Sequence, residues 1–167
     1  MSKNRNNLLE PAVRENLEKY GVVHGVLECE PEFADTTEFC EQYGFKSAQC
    51  ANTIIVVNKN SHPDFAACVI LATTKLDVNK KVCELMEVKH ASFARADQVL
   101  ELTGMKIGGV TVFGLPSSLP IFIDAEVLNQ LDIIMGGGNR ISKIRLDPRE
   151  LQKLPNVSIH QELAHTK

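Results

Sequence analysis

Gly104-Met-Lys-Ile-Gly-Gly-Val-Thr-Val-Phe-Gly-Leu-Pro116 is the segment on which the architecture of this chain turns. It holds four of the chain's ten glycines and closes on a proline. Gly104 reads as a helix stop, because glycine takes the left-handed conformation without a Cβ penalty. Gly108-Gly109 precedes a β-type run, Val110 to Phe113, and paired glycines there suggest a bend or a close backbone approach. Gly114-Leu115-Pro116 ends the run. The residues alone leave two readings open. One is a loop that presents backbone N–H groups to a carbonyl or phosphate; the other is a pair of turns flanking an ordinary strand.

Working back from this stretch, residues 94–103 read as a helix with Val99, Leu100 and Leu102 as its apolar positions, and 77–87 as another. Ile54 to Val57 and Ala66 to Ala72 are continuous apolar runs separated by the polar Asn58–Asp64 segment, the pattern of a hairpin with a long loop. Asp35-Thr-Thr-Glu38 resembles a capping box, opening a helix that Gly44 would end. Val22 to Leu27 is a short strand. Residues 8–20 read as an amphipathic N-terminal helix, with Leu9, Val13, Leu17 and Tyr20 on one face and Gly21 as its stop.

Downstream, Ile121 to Ile123 is a short strand, and Asp124 stands as N-cap of a short helix over 125–129. Ile133-Ile134-Met135 runs into Gly136-Gly137-Gly138. Ser142 to Leu146 is a strand. Asp147-Pro148-Arg149-Glu150 combines an N-cap, proline at N1 and glutamate at N3. Val157 to Ile159 is a last strand, and the polar tail after Gln161 is expected to fray. About seven short strands with interspersed helices, lacking strict βαβ alternation, imply one α+β domain over residues 1–167. Its sheet is mixed, mostly antiparallel and curled toward a barrel.

Bulk composition excludes several function classes. At 167 residues, 44% hydrophobic and 23% charged, the chain is an ordinary globular domain with room for a core. A net charge of −3 carries no global basic signature, so a nucleic-acid contact must be local. Lys75, Lys80, Lys81, Lys89, Arg140, Lys143 and Arg145 are the basic residues available for it. No apolar run reaches the roughly 20 residues of a membrane span. The leading Met1–Asn7 segment lacks a signal-peptide apolar region. Five cysteines without a Cys-x-x-Cys pair fit reduced thiols in a cytoplasmic protein, with Cys68 a small core residue.

No short motif by itself carries chemistry. Gly136-Gly137-Gly138-Asn139-Arg140 could cradle a phosphate, but it lacks the Gly-Lys-Ser/Thr of a P-loop and the spacing of a dinucleotide loop; a tight turn is the other reading. The five histidines have no ligand spacing, so a metal site is not expected. No Gly-x-Ser-x-Gly elbow is present. Ser117-Ser118 are candidate nucleophiles only in the weak sense that any loop serine is.

Four segments taken together resemble the YbaK/ProX-type aminoacyl-tRNA deacylases, the editing domain also found within some prolyl-tRNA synthetases. They are Ala51-Asn-Thr-Ile-Ile-Val-Val57, Asp77-Val-Asn-Lys-Lys81, Leu102–Pro116, and Ile121-Phe-Ile-Asp124 with Gly136-Gly-Gly-Asn-Arg140. The third resembles the signature Thr-Gly-x-x-x-Gly-Gly-(Val/Ile)-x-Pro-(Phe/Leu)-Gly. The match spans roughly residues 25–160.

The resemblance implies an enzyme, acting in trans and without metal or other cofactor, that hydrolyses the ester joining a wrong amino acid to tRNA. Gly108 and Gly109 would hold the aminoacyl carbonyl through oriented N–H groups. Thr53, Val110, Thr111, Phe113, Gly114, Leu115, Pro116, Asp124, Gly137 and Gly138 would contact the substrate. The partner would be the acceptor end of aminoacyl-tRNA; a synthetase or a second copy of the chain is the protein partner left open. Three departures stand out. Asn52 replaces a lysine common in the family, Val112 replaces the signature proline, and Lys143 stands where the family often has an acid. The paired charge change suggests that Lys143 supplies the cation missing at Asn52. A degenerate editing fold that binds an aminoacyl group, a nucleotide or a protein partner is the alternative.

Overall fold

The computed structural model describes residues 5–167; the expectation for Met1–Asn7 falls partly outside that range. The elements, in chain order, begin with α1 (Pro11–Lys19), β1 (Gly25–Glu28), α2 (Thr36–Tyr43), β2 (Ala51–Asn58) and β3 (Phe65–Leu71). They continue with β4 (Thr74–Leu76), a wide helical turn Val78–Val82 that runs into α3 (Cys83–Met86), β5 (Ala91–Phe93) and α4 (Ala96–Thr103). After the glycine stretch come β6 (Ile121–Asp124), β7 (Ile133–Gly136), β8 (Ser142–Leu146), β9 (Val157–His160) and β10 (Ala164–Thr166).

These strands form a five-stranded sheet in the order β5-β2-β3-β6-β9, a three-stranded sheet β1-β8-β7, and a β10-β4 pair. The hairpin is as expected: Ala51 faces Leu71 and Val57 faces Phe65 in one antiparallel ladder. Its connection is pinned by Asn58, whose Oδ1 accepts from the N–H groups of Asp64 (3.1 Å) and Asn60 (3.4 Å). β6 runs parallel to both β3 and β9. Such pairs need long crossovers, and the segments 72–120 and 125–156 supply them. The class is α+β with a mixed sheet, but no sheet closes on itself, so the curl stops short of a barrel.

The main core lies under the large sheet. It joins Val13 and Leu17 of α1 to Val69, Ile121, Ile123, Val99 and Phe113, all at most 2% exposed. Burying each such side chain contributes about 1.5–3 kcal/mol before entropy is counted. A second cluster packs Val56, Ile70, Val82, Phe122 and Leu163 on the opposite face, and a third gathers Phe39, Cys29, Cys40 and Cys50.

Several expectations are corrected. Val110–Phe113 is not a strand. Gly108 (φ +93°) and Gly114 (φ +84°) turn the backbone at either end, and Val112 and Phe113 are buried as a plug in the core. The first strand lies three residues later than Val22, at Gly25–Glu28, where it pairs with β8 from Arg145 to Ser142. The tail does not fray. Leu163 is fully buried, and β10 pairs with β4, which the sequence pattern does not signal.

Neither acidic cap works as expected. The Asp124 side chain does not cap the turn at 125–129. Its Oδ1 instead accepts from the N–H groups of Leu163 (3.0 Å) and Ala164 (3.3 Å), fixing the C-terminal strand. Asp35 likewise makes no cap bond to α2; Arg140 takes its carboxylate. In both cases a long-range donor wins over the local one. Asp147 does cap its turn, accepting from Arg149 N–H at 2.9 Å. Among the described residues no helix is long and apolar enough to cross a membrane.

Candidate active site

The site begins with a gap in the large sheet. β3 covers one edge of β2 from residue 51 to 57. On the other edge, among the described residues, β5 pairs with Val56–Asn58, and β7 lies alongside with the isolated Cys50–Ile134 bridge in place of a ladder. Between these two attachments the edge at Asn52–Ile54 is left open, and an exposed edge offers unpaired backbone groups. A cavity of ≈ 320 Å³ occupies this gap, with Phe39, Val99, Ile107, Val110 and Met135 among its apolar walls and Asp35, Thr36, Asn52, Thr53 and Lys143 among its polar ones. This is the size and chemistry of a small-ligand site.

The two glycine clusters meet beside it. Gly138 N–H donates to the Gly109 carbonyl at 2.7 Å. A Cβ on Gly109 would lie 2.4 Å from the Asn139 carbonyl oxygen, and one on Gly136 2.4 Å from that of Val110. Only two bare backbones can pass this closely, which is why both clusters must be glycine. Gly137 packs against Leu9 and Ser142; Gly138 and Gly114 pack against α1 at Glu10–Val13 and Ala12. The triple glycine is therefore a packing surface for the N-terminal helix and for the opening loop.

Arg140 locks the arrangement from outside. Its guanidinium donates to the carbonyls of Ile107 (2.7 Å) and Pro31 (2.8 Å) and to the Asp35 carboxylate (3.1 Å). A planar fork holds three chain segments at once, as a point-like ammonium could not.

Lys143 enters the cavity from β8. It is 6% exposed, and its Nζ donates to the Gly108 carbonyl at 2.9 Å and to the Ala34 carbonyl at 2.6 Å. It also lies 5.5 Å from the centre of the Phe39 ring, within cation–π range. Burial pushes the ammonium below the ordinary lysine range; Cys29, Cys50 and Asp35 act the other way. The two thiols are themselves held protonated by burial, Cys50 being pushed up to about 12, so Asp35 is the neighbouring anion.

Asn52 sits in the same wall, its Oδ1 accepting from the Thr36 hydroxyl at 2.7 Å. That bond turns the amide nitrogen away from Thr36. The Thr53 hydroxyl is buried and has no partner among the described residues. Among the described residues, the N–H groups of Gly108 and Val110 make no hydrogen bond, whereas Gly109 N–H is spent on the Lys106 carbonyl at 2.9 Å.

Of the residues singled out from the sequence, Lys143, Asn52, Thr53, Gly108 and Val110 share the cavity wall. Gly109, Gly137 and Gly138 lie in the interlock behind it. Thr111 and Phe113 are fully buried, Gly114 lies under α1, Leu115 is half-buried, and Pro116 lines a separate hollow with Phe65 and Phe122. Asp124 holds the C-terminal strand, with burial pushing its carboxyl above the usual range. Sequence reasoning misses Thr36, Phe39, Phe93, Val99 and Met135, which reach the cavity from four separate elements without any local motif. Ile107 and Gly136 lie inside the two quoted glycine motifs but are not singled out there as site residues. Among the described residues no group of three or more His, Cys, Asp or Glu is placed to hold a metal.

Comparison with known proteins gives the family and the fold. The family model of the aminoacyl-tRNA editing domain matches residues 30–154, and the chain belongs to that family. It is 27% identical over 142 residues to the uncharacterized protein YwhH of Bacillus subtilis strain 168, covering 85% of this chain and 88% of that one. The solved structure of a hypothetical protein, APE2540, superposes with a TM-score of 0.81 at 25% identity over 92% of this chain and 99% of its own. A second, described as a proposed trans-editing enzyme for prolyl-tRNA synthetase, gives a TM-score of 0.77 at 24% identity over 92% and 97%, a likeness of fold.

Proposed function

We propose that this chain is a single-domain trans-editing hydrolase that removes a wrongly attached amino acid from tRNA. Family membership supports a role in aminoacyl-tRNA editing. The observation that carries the catalytic reading is that one small cavity is lined by a residue with a buried ammonium, an amide whose nitrogen is uncommitted, an unpartnered hydroxyl, and two residues with free backbone N–H groups.

The amino-acid side chain enters the apolar part of the gap, between Val99 and Met135. The ester carbonyl points to the N–H groups of Gly108 and Val110, which face the oxyanion as water adds to the carbonyl carbon. Lys143 keeps Gly108 in place through its carbonyl and adds positive charge close to the developing anion, the cation that Asn52 does not supply. Asn52 and Thr53 orient the water or the α-amino group. Collapse of the tetrahedral intermediate breaks the ester bond, and the tRNA ribose hydroxyl leaves with the proton that the water gives up.

Release of amino acid from a panel of mischarged tRNAs tests this reading. Multiple-turnover release from at least one tRNA supports it. Binding without release from every member would favour a non-catalytic module, the reading to which Asn52 lends weight.

A further inference from the structure

The apolar floor of the cavity is buried, as a pocket for a small side chain should be: Phe39, Val99 and Met135 are each at most 2% exposed. Two large apolar residues of its wall break the pattern. Phe93 is 55% exposed and Ile107 53%. Phe93 ends β5, an edge strand whose sole ladder is to β2, and Ile107 immediately precedes Gly108. Singly exposed apolar residues are ordinary on a protein surface, but these two, unlike the exposed Val23 and Leu131, line the ligand-sized cavity, where they are available to whatever enters it. Exposed cations stand close to both in the chain: Arg95, which pairs with the exposed Asp97 at 3.1 Å, lies two residues after Phe93, and Lys106 lies just before Ile107.

Resting on the deacylase reading, we propose that Phe93 is the platform on which the terminal base of the substrate RNA stacks, with Ile107 facing the same mouth. The ester to be cut is attached to the terminal ribose, so a ribose held at the mouth leaves its base outside the cavity. Such a base needs a flat apolar partner, and single-stranded RNA ends are commonly held by stacking on aromatic side chains. The preceding phosphates then fall near Arg95 and Lys106, which supply the sequence-independent part of the affinity. Phe93 is a binding and positioning residue, and it acts on the RNA rather than on the amino acid.

The test uses two acceptor-stem minihelices, one ending in single-stranded CCA and a twin whose terminal nucleotide lacks its base. Wild-type protein binds the first roughly tenfold or more tightly than the second, the range of one base stack. In Phe93→Ala that ratio falls to about one; in Phe93→Trp it is kept. The chain has no tryptophan, so Phe93→Trp also carries a single reporter, whose fluorescence is quenched by the CCA probe and not by its abasic twin. A ratio unchanged by Phe93→Ala, in protein that still releases amino acid from mischarged tRNA, overturns this inference alone. Failure of the wild type both to bind either minihelix and to release amino acid from any mischarged tRNA overturns the deacylase reading and this inference with it.

Discussion

The ammonium of Lys143 lies 2.9 Å from the carbonyl oxygen of Gly108, joining a buried charge on β8 to the backbone of the glycine loop. A lysine on β8 and a glycine 35 positions earlier are thus parts of one site. In the proposed mechanism Lys143 places Gly108 and supplies the cation that Asn52 cannot.

Replacing Lys143 by methionine separates catalysis from stability. Burial depresses the lysine pKa in the folded chain, so at neutral pH the folded state bears the cost of an ammonium in a poorly solvated site. Methionine removes that cost but leaves two carbonyls without a donor. The expected net change in stability is within about 2 kcal/mol, with deacylation reduced at least a hundredfold. The sign of the pH effect follows from linkage. Between the depressed folded pKa and the ordinary lysine value the unfolded chain binds more protons, so wild-type stability rises with pH relative to the methionine variant. Urea titrations of both proteins from neutral to alkaline pH check this. Deacylation runs the opposite way and declines over the same alkaline range as the ammonium is lost.

The glycine interlock predicts a wide spread among chemically identical substitutions. Gly104 has φ +73°, and the space where a Cβ would stand is open, with nothing within 4 Å, so Gly104→Ala costs about 1–2 kcal/mol of backbone strain. Gly109→Ala and Gly136→Ala drive a methyl into backbone 2.4 Å away and should cost more than about 3 kcal/mol or prevent folding. Thermal melts of the three variants rank them.

Arg140→Lys should fail to act conservatively. The fork to Ile107, Pro31 and Asp35 cannot be reproduced by one ammonium. The Asp35 partner is about half exposed, so the carbonyl bonds matter more than the ion pair. The expected loss is about 1–3 kcal/mol with little dependence on salt, measured by urea unfolding at low and high ionic strength.

At the C-terminus, Leu163→Ala should cost about 2–5 kcal/mol, since the side chain is fully buried between β10 and the second core cluster. Equilibrium unfolding of this variant, compared with Ala164→Gly, isolates the side chain from the strand.

The hairpin, the helices ended by Gly44 and Gly104, and the capped turn at Asp147 are legible in the sequence because local chemistry decides them. Val110–Phe113 misleads, because β-branched residues suit a buried plug as well as a strand; the two left-handed glycines beside them decide between the two. Asp35 and Asp124 carry good capping signals that distant donors outcompete. In the site, residues next to glycine motifs can be found by position. Phe39, Phe93 and Val99 cannot, because the cavity exists only where a split sheet edge brings separate elements together. Lys143 is marked by its charge, but its direction depends on the fold.

Single-turnover release of amino acid from mischarged tRNAs by wild-type protein and by Lys143→Met, with tRNA binding measured in parallel, bears most sharply on the role of the buried ammonium. Wild-type protein is expected to release amino acid from at least one tRNA, and Lys143→Met to bind the same tRNA within a few-fold but release roughly a hundredfold or more slowly. Release by Lys143→Met as fast as by wild type, or binding by the wild type with no release from any tRNA, would contradict the mechanism.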